Sequence, residues 1–103
     1  MRVSRRNFNE RCYELVRKVP KGKVTTYAEV ARALGTRAYR AVGNAMAKSP
    51  GMPQVPCHRV VRSDGKTGGF ALGTKKKIQM LAKEGVKVRN GKINLEKYFF
   101  KLR

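Results

Sequence analysis

Cys57 and His58 stand side by side in the segment Val55-Pro56-Cys57-His58-Arg59-Val60-Val61, and His58 is the only histidine of the chain. Sulfur is the best nucleophile a side chain offers, but it reacts as thiolate and needs a base or cationic surroundings to form it. The adjacent imidazole can take that proton. The competing reading is a buried cysteine followed by a surface histidine, and the pair alone does not choose between them. The setting tips the balance: the 103 residues carry 25 Lys and Arg against six Asp and Glu, a net charge of +19. An activated thiol in so basic a chain points to nucleophilic chemistry on nucleic acid.

Glu84 supplies a third group. It falls in the last turn of a helix expected from Thr74 onward, where the macrodipole disfavours an anion, while Lys75, Lys76 and Lys77 crowd the end that disfavours cations. Sites that break local rules are where function is expected. The reading is that Glu84 orients His58 and fixes its tautomer, as in other sets of nucleophile, base and orienting group. Lys75 to Lys77 touch phosphate or form a solvated cluster. In extended backbone, neighbouring side chains point to opposite faces. A water between Cys57 and His58 is therefore the expected proton relay.

Length sets one domain, residues 1–103. A membrane surface competes with nucleic acid for the positive charge, but no apolar run approaches the ~20 residues needed to span a bilayer. Met1 to Asn9 is basic without the apolar segment of a signal peptide, so the chain reads as cytoplasmic and reduced. Cys12 and Cys57 match no zinc spacing, and neither a metal nor a cofactor is expected. Cys12 falls on the apolar stripe Phe8, Cys12, Leu15, Val16, Val19, and is read as a core residue rather than a disulfide partner of Cys57.

The positioning elements follow from capping and periodicity. Ser4 caps a first helix from Arg5 to Lys18, stopped by Pro20 and Gly22. Thr26-Tyr27-Ala28-Glu29 fits a capping box and opens a helix with Val30, Ala31 and Leu34 inward, ending at Gly35. Thr36 caps the next helix, Arg37 to Lys48. Two short helices about a Gly-containing turn are the sequence form of a helix-turn-helix. On the second, Ala41, Val42, Ala45 and Met46 face inward, while Arg37, Arg40, Asn44 and Lys48 face DNA or simply solvent. Gly43 sits there at roughly 1 kcal/mol below Ala, which suits a close backbone approach.

Beyond it, Ser49 to Val55 forms a loop with Pro50, Gly51 and Pro53, Val60-Val61 a short buried strand, and Ser63 to Lys66 a turn. Thr67-Gly68-Gly69-Phe70-Ala71-Leu72-Gly73 lacks the ending of a phosphate-binding loop and is a pocket wall or a connector. Thr74 caps a last long helix with Ile78, Leu81 and Ala82 inward. Val86, Val88, Asn90-Gly91, Ile93 and Leu95 form a hairpin with a type I′ turn. The tail Tyr98-Phe99-Phe100 docks on the core. The expected fold is mainly α with a small β component: a winged-helix-like helix-turn-helix domain with a C-terminal hairpin.

With the blocks TTYAEVA (25–31), RAVGNAM (40–46), VPCHRVV (55–61), TGGFALG (67–73) and LAKEGV (81–86), the chain resembles the DNA-binding, active-site domain of the O6-alkylguanine-DNA alkyltransferases. The resemblance implies single-turnover repair. Cys57 accepts an alkyl group from O6 of a guanine flipped out of double-stranded DNA, His58 acts through water, and Glu84 anchors it. Tyr27 assists expulsion of the base, and Arg40 enters the vacated stack. Thr26, Tyr27, Arg37, Ala41, Gly43, Asn44 and Lys48 are the further DNA contacts implied, made through the minor groove. Met46, Ser49, Val60, Phe70, Ala71 and Leu72 surround the base. The carbonyls of Cys57 and Val60 read its amine, and the Ala71 amide faces O6.

Three positions depart from the family pattern. Ser49 replaces a common asparagine, Phe70 a common tyrosine, and Leu72 a glycine of some relatives. Leu72 is expected to narrow the pocket. The resemblance describes a minimal, monomeric form without an N-terminal domain. The rivals are a non-catalytic alkyltransferase-like protein, which commonly carries tryptophan in place of the nucleophile, and an architectural DNA-binding protein.

Overall fold

Helical periodicity governs the first half of the chain. This computed structural model describes residues 8–51, 54–70 and 72–102, and three helices come first: α1 (Phe8–Val16), α2 (Tyr27–Ala33) and α3 (Tyr39–Ala47). The expected cap Ser4 and start Arg5 of the first helix lie outside the described residues. Its end comes at Val16 rather than Lys18, because the chain tightens ahead of Pro20: the amides of Lys18 and Val19 bond back three residues, to Leu15 and Val16. Cys12, Val16 and Val19 are fully buried, as the stripe requires.

Thr26 caps α2, its hydroxyl accepting the Glu29 amide at 3.0 Å. Only half of the capping box forms. The Glu29 carboxylate turns away from Thr26 to take two bonds from the Arg32 guanidinium, each 2.8 Å, and one from the Leu102 amide at 2.7 Å. Those bonds, Arg32's first, hold the Glu29 carboxyl below its usual range against the opposing effect of burial. Val30 and Ala31 are buried and Leu34 is half-buried.

Thr36 does not cap α3. Its hydroxyl accepts the Ala38 amide two residues on, a local turn that delays the helix to Tyr39. Val42, Ala45 and Met46 pack inward as read, and Ala41 is half-buried. Tyr13 of α1 donates to the Ala45 carbonyl at 2.8 Å, pinning α3 across the bundle.

The second half is built around short pairings. Strand β1 (Thr25–Thr26) runs parallel to β2 (Val60–Val61), with Thr25 opposite Val60 and Thr26 opposite Val61. Successive strand residues face opposite sides. Val60 accordingly joins a core with Cys12, Val30, Val42 and Ala45, and Val61 a second core with Val24, Leu81, Val86, Ile93 and Tyr98.

The second core lies against α4 (Thr74–Lys83), where Leu81 is buried, Ile78 half-buried and Ala82 exposed rather than inward. Gly73, not Thr74, occupies the cap position of α4, and no side chain caps it. Strands β3 (Val88–Arg89) and β4 (Lys92–Ile93) form the antiparallel hairpin, and Asn90 and Gly91 both take positive φ, as a type I′ turn needs. Leu95 leaves the hairpin and opens α5 (Leu95–Tyr98), capped by the Asn94 side chain.

The C-terminal strap closes the structure. Val24 donates to the Tyr98 carbonyl at 2.9 Å and accepts from Phe100 at 2.7 Å. Leu102 then enters the first core with no exposed surface, its carbonyl held by Arg32. No helix among the described residues is long and apolar enough to cross a membrane. Leu102→Ala should destabilise the protein by about 2–5 kcal/mol, the range of a buried large-to-small change. Phe99→Ala, at a more exposed site on the same strap, should change it by less than ~1 kcal/mol. Urea unfolding of both variants measures the contrast.

Candidate active site

Pro56 makes the turn that presents the thiol. Its φ of −80° and ψ of 62° are those of an inverse γ-turn, and the Cys57 amide bonds back to the Val55 carbonyl at 2.8 Å. Cys57–Arg59 then form one turn of 3-10 helix, closed by the Val60 amide on the Cys57 carbonyl. The loop before it is held from two sides. Arg17 donates to the Gln54 carbonyl at 2.8 Å, and the Ser49 hydroxyl accepts the Gly51 amide at 3.0 Å. Cys57 is 8% exposed and packs in the first core. What exposure it keeps opens on a cavity of about 480 Å3 between α3, Tyr27 and the glycine-rich segment.

The 3-10 turn corrects the expectation of extended backbone at Cys57-His58. No direct bond joins the two side chains: neither ring nitrogen of His58 has an aligned hydrogen-bond partner among the described residues. Glu84 nevertheless lies beside the ring. Its Oε2 is 3.0 Å from His58 Nε2, in ion-pair range though not aligned as a hydrogen bond. Burial pushes the His58 imidazole below its usual range, Glu84 pulls it up, and Arg59 and Lys77 push it down again, leaving it low. The ring is therefore neutral at neutral pH and able to accept a proton.

Arg59 completes this charge cluster. Its Nε and Nη2 bond both oxygens of Glu84 at 2.9 and 2.7 Å, and Nη1 bonds the Val19 carbonyl at 2.8 Å. Burial acts to raise the Glu84 carboxyl, but the bonds from Arg59 and the proximity of His58 outweigh it and hold the group ionised below its usual range. Glu84 occupies the C-cap of α4, the position where the dipole opposes it. Two cationic or polar partners offset that disadvantage.

Tyr27, the first residue of α2, stands over the other side of the cavity. Its hydroxyl donates to the Gly69 carbonyl at 3.5 Å. Burial, and secondly a Cys57 thiolate, push the phenol above its usual range, so it keeps its proton. The facing wall must be glycine at position 68: φ is +78°, and a Cβ there would lie 3.0 Å from the Tyr27 ring and hydroxyl.

Beneath both lies Lys77, 1% exposed. Its ammonium bonds the carbonyls of Val60 at 2.7 Å, Gly69 at 3.2 Å, and Thr67. Lys75 and Lys76 are exposed, so the three lysines are not one cluster.

The structure brings Cys57, Tyr27, Arg40, Gly43, Met46 and Phe70 together around the cavity. Arg37, Asn44 and Lys48 are exposed along α3 and its flanks, apart from the cavity wall. Several sequence expectations need correcting. Thr26 is buried with its hydroxyl engaged in the cap, so it offers no exposed contact. Val60 packs in the core, and its carbonyl is already bound by Lys77. Ser49 bonds its own loop instead of lining the cavity. Leu72 is 68% exposed and does not narrow the opening. Ala71 lies outside the described residues.

Tyr39 and Arg62 went unmarked by the motifs, and Lys77, read with Lys75 and Lys76 as a phosphate contact or solvated cluster, is instead buried. Tyr39, half exposed, and Arg62 stand at the cavity beside Arg40. Lys77 carries a legible signal after all: it precedes Leu81 by four residues and so shares the inward stripe of α4.

A helix-turn-helix with a thiol at the floor of a cavity beside its second helix defines the class: a helix-turn-helix DNA-binding domain. The family description 6-O-methylguanine DNA methyltransferase, DNA binding domain, matches residues 7–86, and the chain belongs to that family. A methylated-DNA–protein-cysteine methyltransferase of Metallosphaera sedula is 44% identical over 82% of this chain and 53% of its own length. A bifunctional methyltransferase/endonuclease of Picrophilus torridus is 40% identical over 85% of this chain and 30% of its own. The chain thus spans about half, or less, of these curated relatives.

Among solved structures, the O6-methylguanine-DNA methyltransferase of Pyrococcus kodakaraensis superposes with a TM-score of 0.70 at 43% identity, covering 80% of this chain and 48% of that one. The S. pombe Atl1 complex with DNA containing O6-carboxymethylguanine superposes with a TM-score of 0.82 at 34% identity, covering 91% of this chain and 94% of that one.

Gly43 lines the cavity mouth, and a Cβ built there meets nothing within 4 Å. No contact among the described residues requires glycine at this helical position. Gly43→Ala should therefore raise stability by up to ~1 kcal/mol through helix propensity while weakening affinity for duplex DNA. Urea unfolding and a DNA titration on one preparation test the two opposite signs.

Proposed function

We propose that this protein repairs alkylated DNA by moving an alkyl group, methyl in the simplest case, from O6 of a flipped-out guanine to Cys57, once per chain. The observation that carries the reading is the placement of Cys57. Its side chain closes a cavity at the recognition helix α3, with a neutral imidazole and an ionised carboxylate behind it. The thiol proton passes through water to His58, and Glu84 stabilises the imidazolium. The Cys57 sulfur forms a bond to the alkyl carbon as the carbon–O6 bond breaks. The electron pair stays with the guanine, which gains a proton by way of the Tyr27 hydroxyl. A thioether results, and nothing in the site reverses it.

Flipping a base costs a few kcal/mol. Arg40, exposed at the cavity rim, is placed to offset part of that by filling the stack. Arg37, Asn44 and Lys48 flank it for the backbone, with Ala41 and Gly43 allowing close approach. Double-stranded DNA carrying O6-alkylguanine is the proposed partner, bound by a monomer in a reducing compartment. Residues 1–103 act as one domain in this reading.

A second reading has a specific observation behind it. The Atl1 chain, bound to alkylated DNA, is matched over 94% of its length, against 48% for the Pyrococcus methyltransferase. On that reading the chain binds the lesion without transferring it. The presence of Cys57 at the cavity floor favours transfer.

Incubation with a duplex containing O6-methylguanine, followed by intact mass measurement, separates the two. Transfer adds the mass of one methylene per chain, and Cys57→Ala abolishes the gain while keeping DNA affinity. Tight binding with no gain in wild type would establish the Atl1-like reading instead. Arg40→Ala should slow transfer from duplex by at least ~10-fold, since flipping a base costs a few kcal/mol, yet leave reaction with a free O6-alkylguanine base nearly unchanged. Equal losses on both substrates would remove Arg40 from the flipping step.

A further inference from the structure

Lys77 is the largest fully buried side chain among the described residues, and a cation so buried requires partners. It has three, and all are main-chain carbonyls: Val60 from β2, and Thr67 and Gly69 from the glycine-rich segment. An ammonium has three N–H donors and no acceptor, so donors and acceptors match one to one. The segment it grips has no secondary structure of its own from Thr67 to Phe70, and it forms one wall of the cavity through Gly68, Gly69 and Phe70. Val60 adjoins the 3-10 turn that carries Cys57. The lysine thus ties the wall to the nucleophile's own segment.

We propose that Lys77, as an ammonium, is a positioning residue that staples the glycine-rich wall to the Cys57 segment, and that the cavity holds its reactive shape only while this nitrogen carries three protons. The inference rests on the transfer reading above. Loss of one proton leaves two donors and a lone pair against three carbonyl oxygens, and one carbonyl must let go. Gly69 holds the longest of the three bonds, and its oxygen also takes the Tyr27 hydroxyl. Releasing it moves the wall and frees the tyrosine that faces the base. Titratable groups of two elements face Lys77. Tyr27 of α2 has its ring centroid 5.8 Å away, and Cys57 and His58 of the 3-10 turn are coupled to it electrostatically.

The protonation state is poised to matter. Burial pushes Lys77 down to about 8, and a Cys57 thiolate opposes the shift. The carbonyl dipoles oppose it as well, so the proton is lost at or above that value. The consequences for stability and for chemistry have opposite signs. A lysine lowered in the fold from 10.5 to about 8 is more protonated in the unfolded chain across that window, so this group makes folding more favourable as pH rises through it. The staple loosens over the same range. A merely structural lysine would not make activity fall while stability rises.

Two measurements test this. In wild type, the Lys77 13Cε resonance and the carbonyl 13C resonances of Val60, Thr67 and Gly69 should titrate together with a midpoint at or just above about 8. This readout needs no substrate, so it stands even if the transfer reading fails. A lysine that stays charged to pH 10, or carbonyls that ignore its titration, overturns the proposal. Second, single-turnover transfer by wild type should fall on the alkaline side with that same midpoint. Lys77→Met should lose about ten- to a hundredfold in the transfer rate, the scale of a displaced reacting group, with DNA affinity kept within about twofold, and should lack the alkaline limb. Lys77→Arg, which keeps the charge, should recover part of the rate. Lys77→Met transferring at the wild-type rate overturns the staple.

Discussion

The Glu84 carboxylate is the constraint on which the candidate site depends. It sits where a helix dipole repels it, and it stays ionised because Arg59 clamps both its oxygens and His58 lies against one of them. Three parts of the chain far apart in sequence meet there: the end of α4, the 3-10 turn and, through the third nitrogen of Arg59, the carbonyl of Val19 after α1. Removing one partner of a buried ion pair typically costs about 3–5 kcal/mol, because the other charge is stranded. The network therefore fixes the orientation of the turn more firmly than hydrophobic contact could, since contact alone is not directional. Cys57 inherits that orientation.

A thiol at this position must satisfy two opposed demands. It belongs to a core with Val16, Val42 and Val55, which gives it a defined place. It must also reach a cavity, which a fully packed core denies. The inverse γ-turn at Pro56 and the following single helical turn reconcile these demands by bringing the residue to the edge of the packing. The parallel pair β1 and β2 then continues the chain away between the two cores. Cys12, by contrast, lies wholly inside, and burial pushes its thiol up to about 11. The two cysteines differ in position, not residue type: Cys57 faces a cavity and Cys12 does not.

Much of this was legible in the sequence, for reasons that differ by element. The stripes of α1, α2 and α3 follow from the 3.6-residue period, and the hairpin from Asn90-Gly91, because both depend on neighbours along the chain. The meeting of His58 and Glu84 could be read from a misplaced charge. Cap positions were less certain: Thr36 and Thr74 look like caps but are not, since a hydroxyl can bond its own loop or be passed over by one residue. Partners distant in sequence left no local trace. Arg59 reaching Val19 and Glu29 taking the Leu102 amide depend on tertiary approach, and the spacing of Lys77 from Leu81 marks its inward face but not the three carbonyls it meets there.

The charge pattern shows the same division between local and tertiary causes. Net charge alone says that a polyanion suits the chain, but not where it would lie. The few carboxylates decide that. Glu29 and Glu84 are spent on Arg32 and Arg59, within the fold, and Asp64 on Arg62 in a turn. Helix α3 carries no acidic residue at all, so nothing on it offsets Arg40 or the flanking Arg37 and Lys48. A positive field arises there as much from omitted anions as from added cations. Long-range attraction of this kind is screened over about 8–10 Å at physiological salt, so it acts where the surface is close to its partner. Of these cations Arg40 stands at the rim of the cavity holding Cys57, so the positive surface and the thiol meet at that one residue.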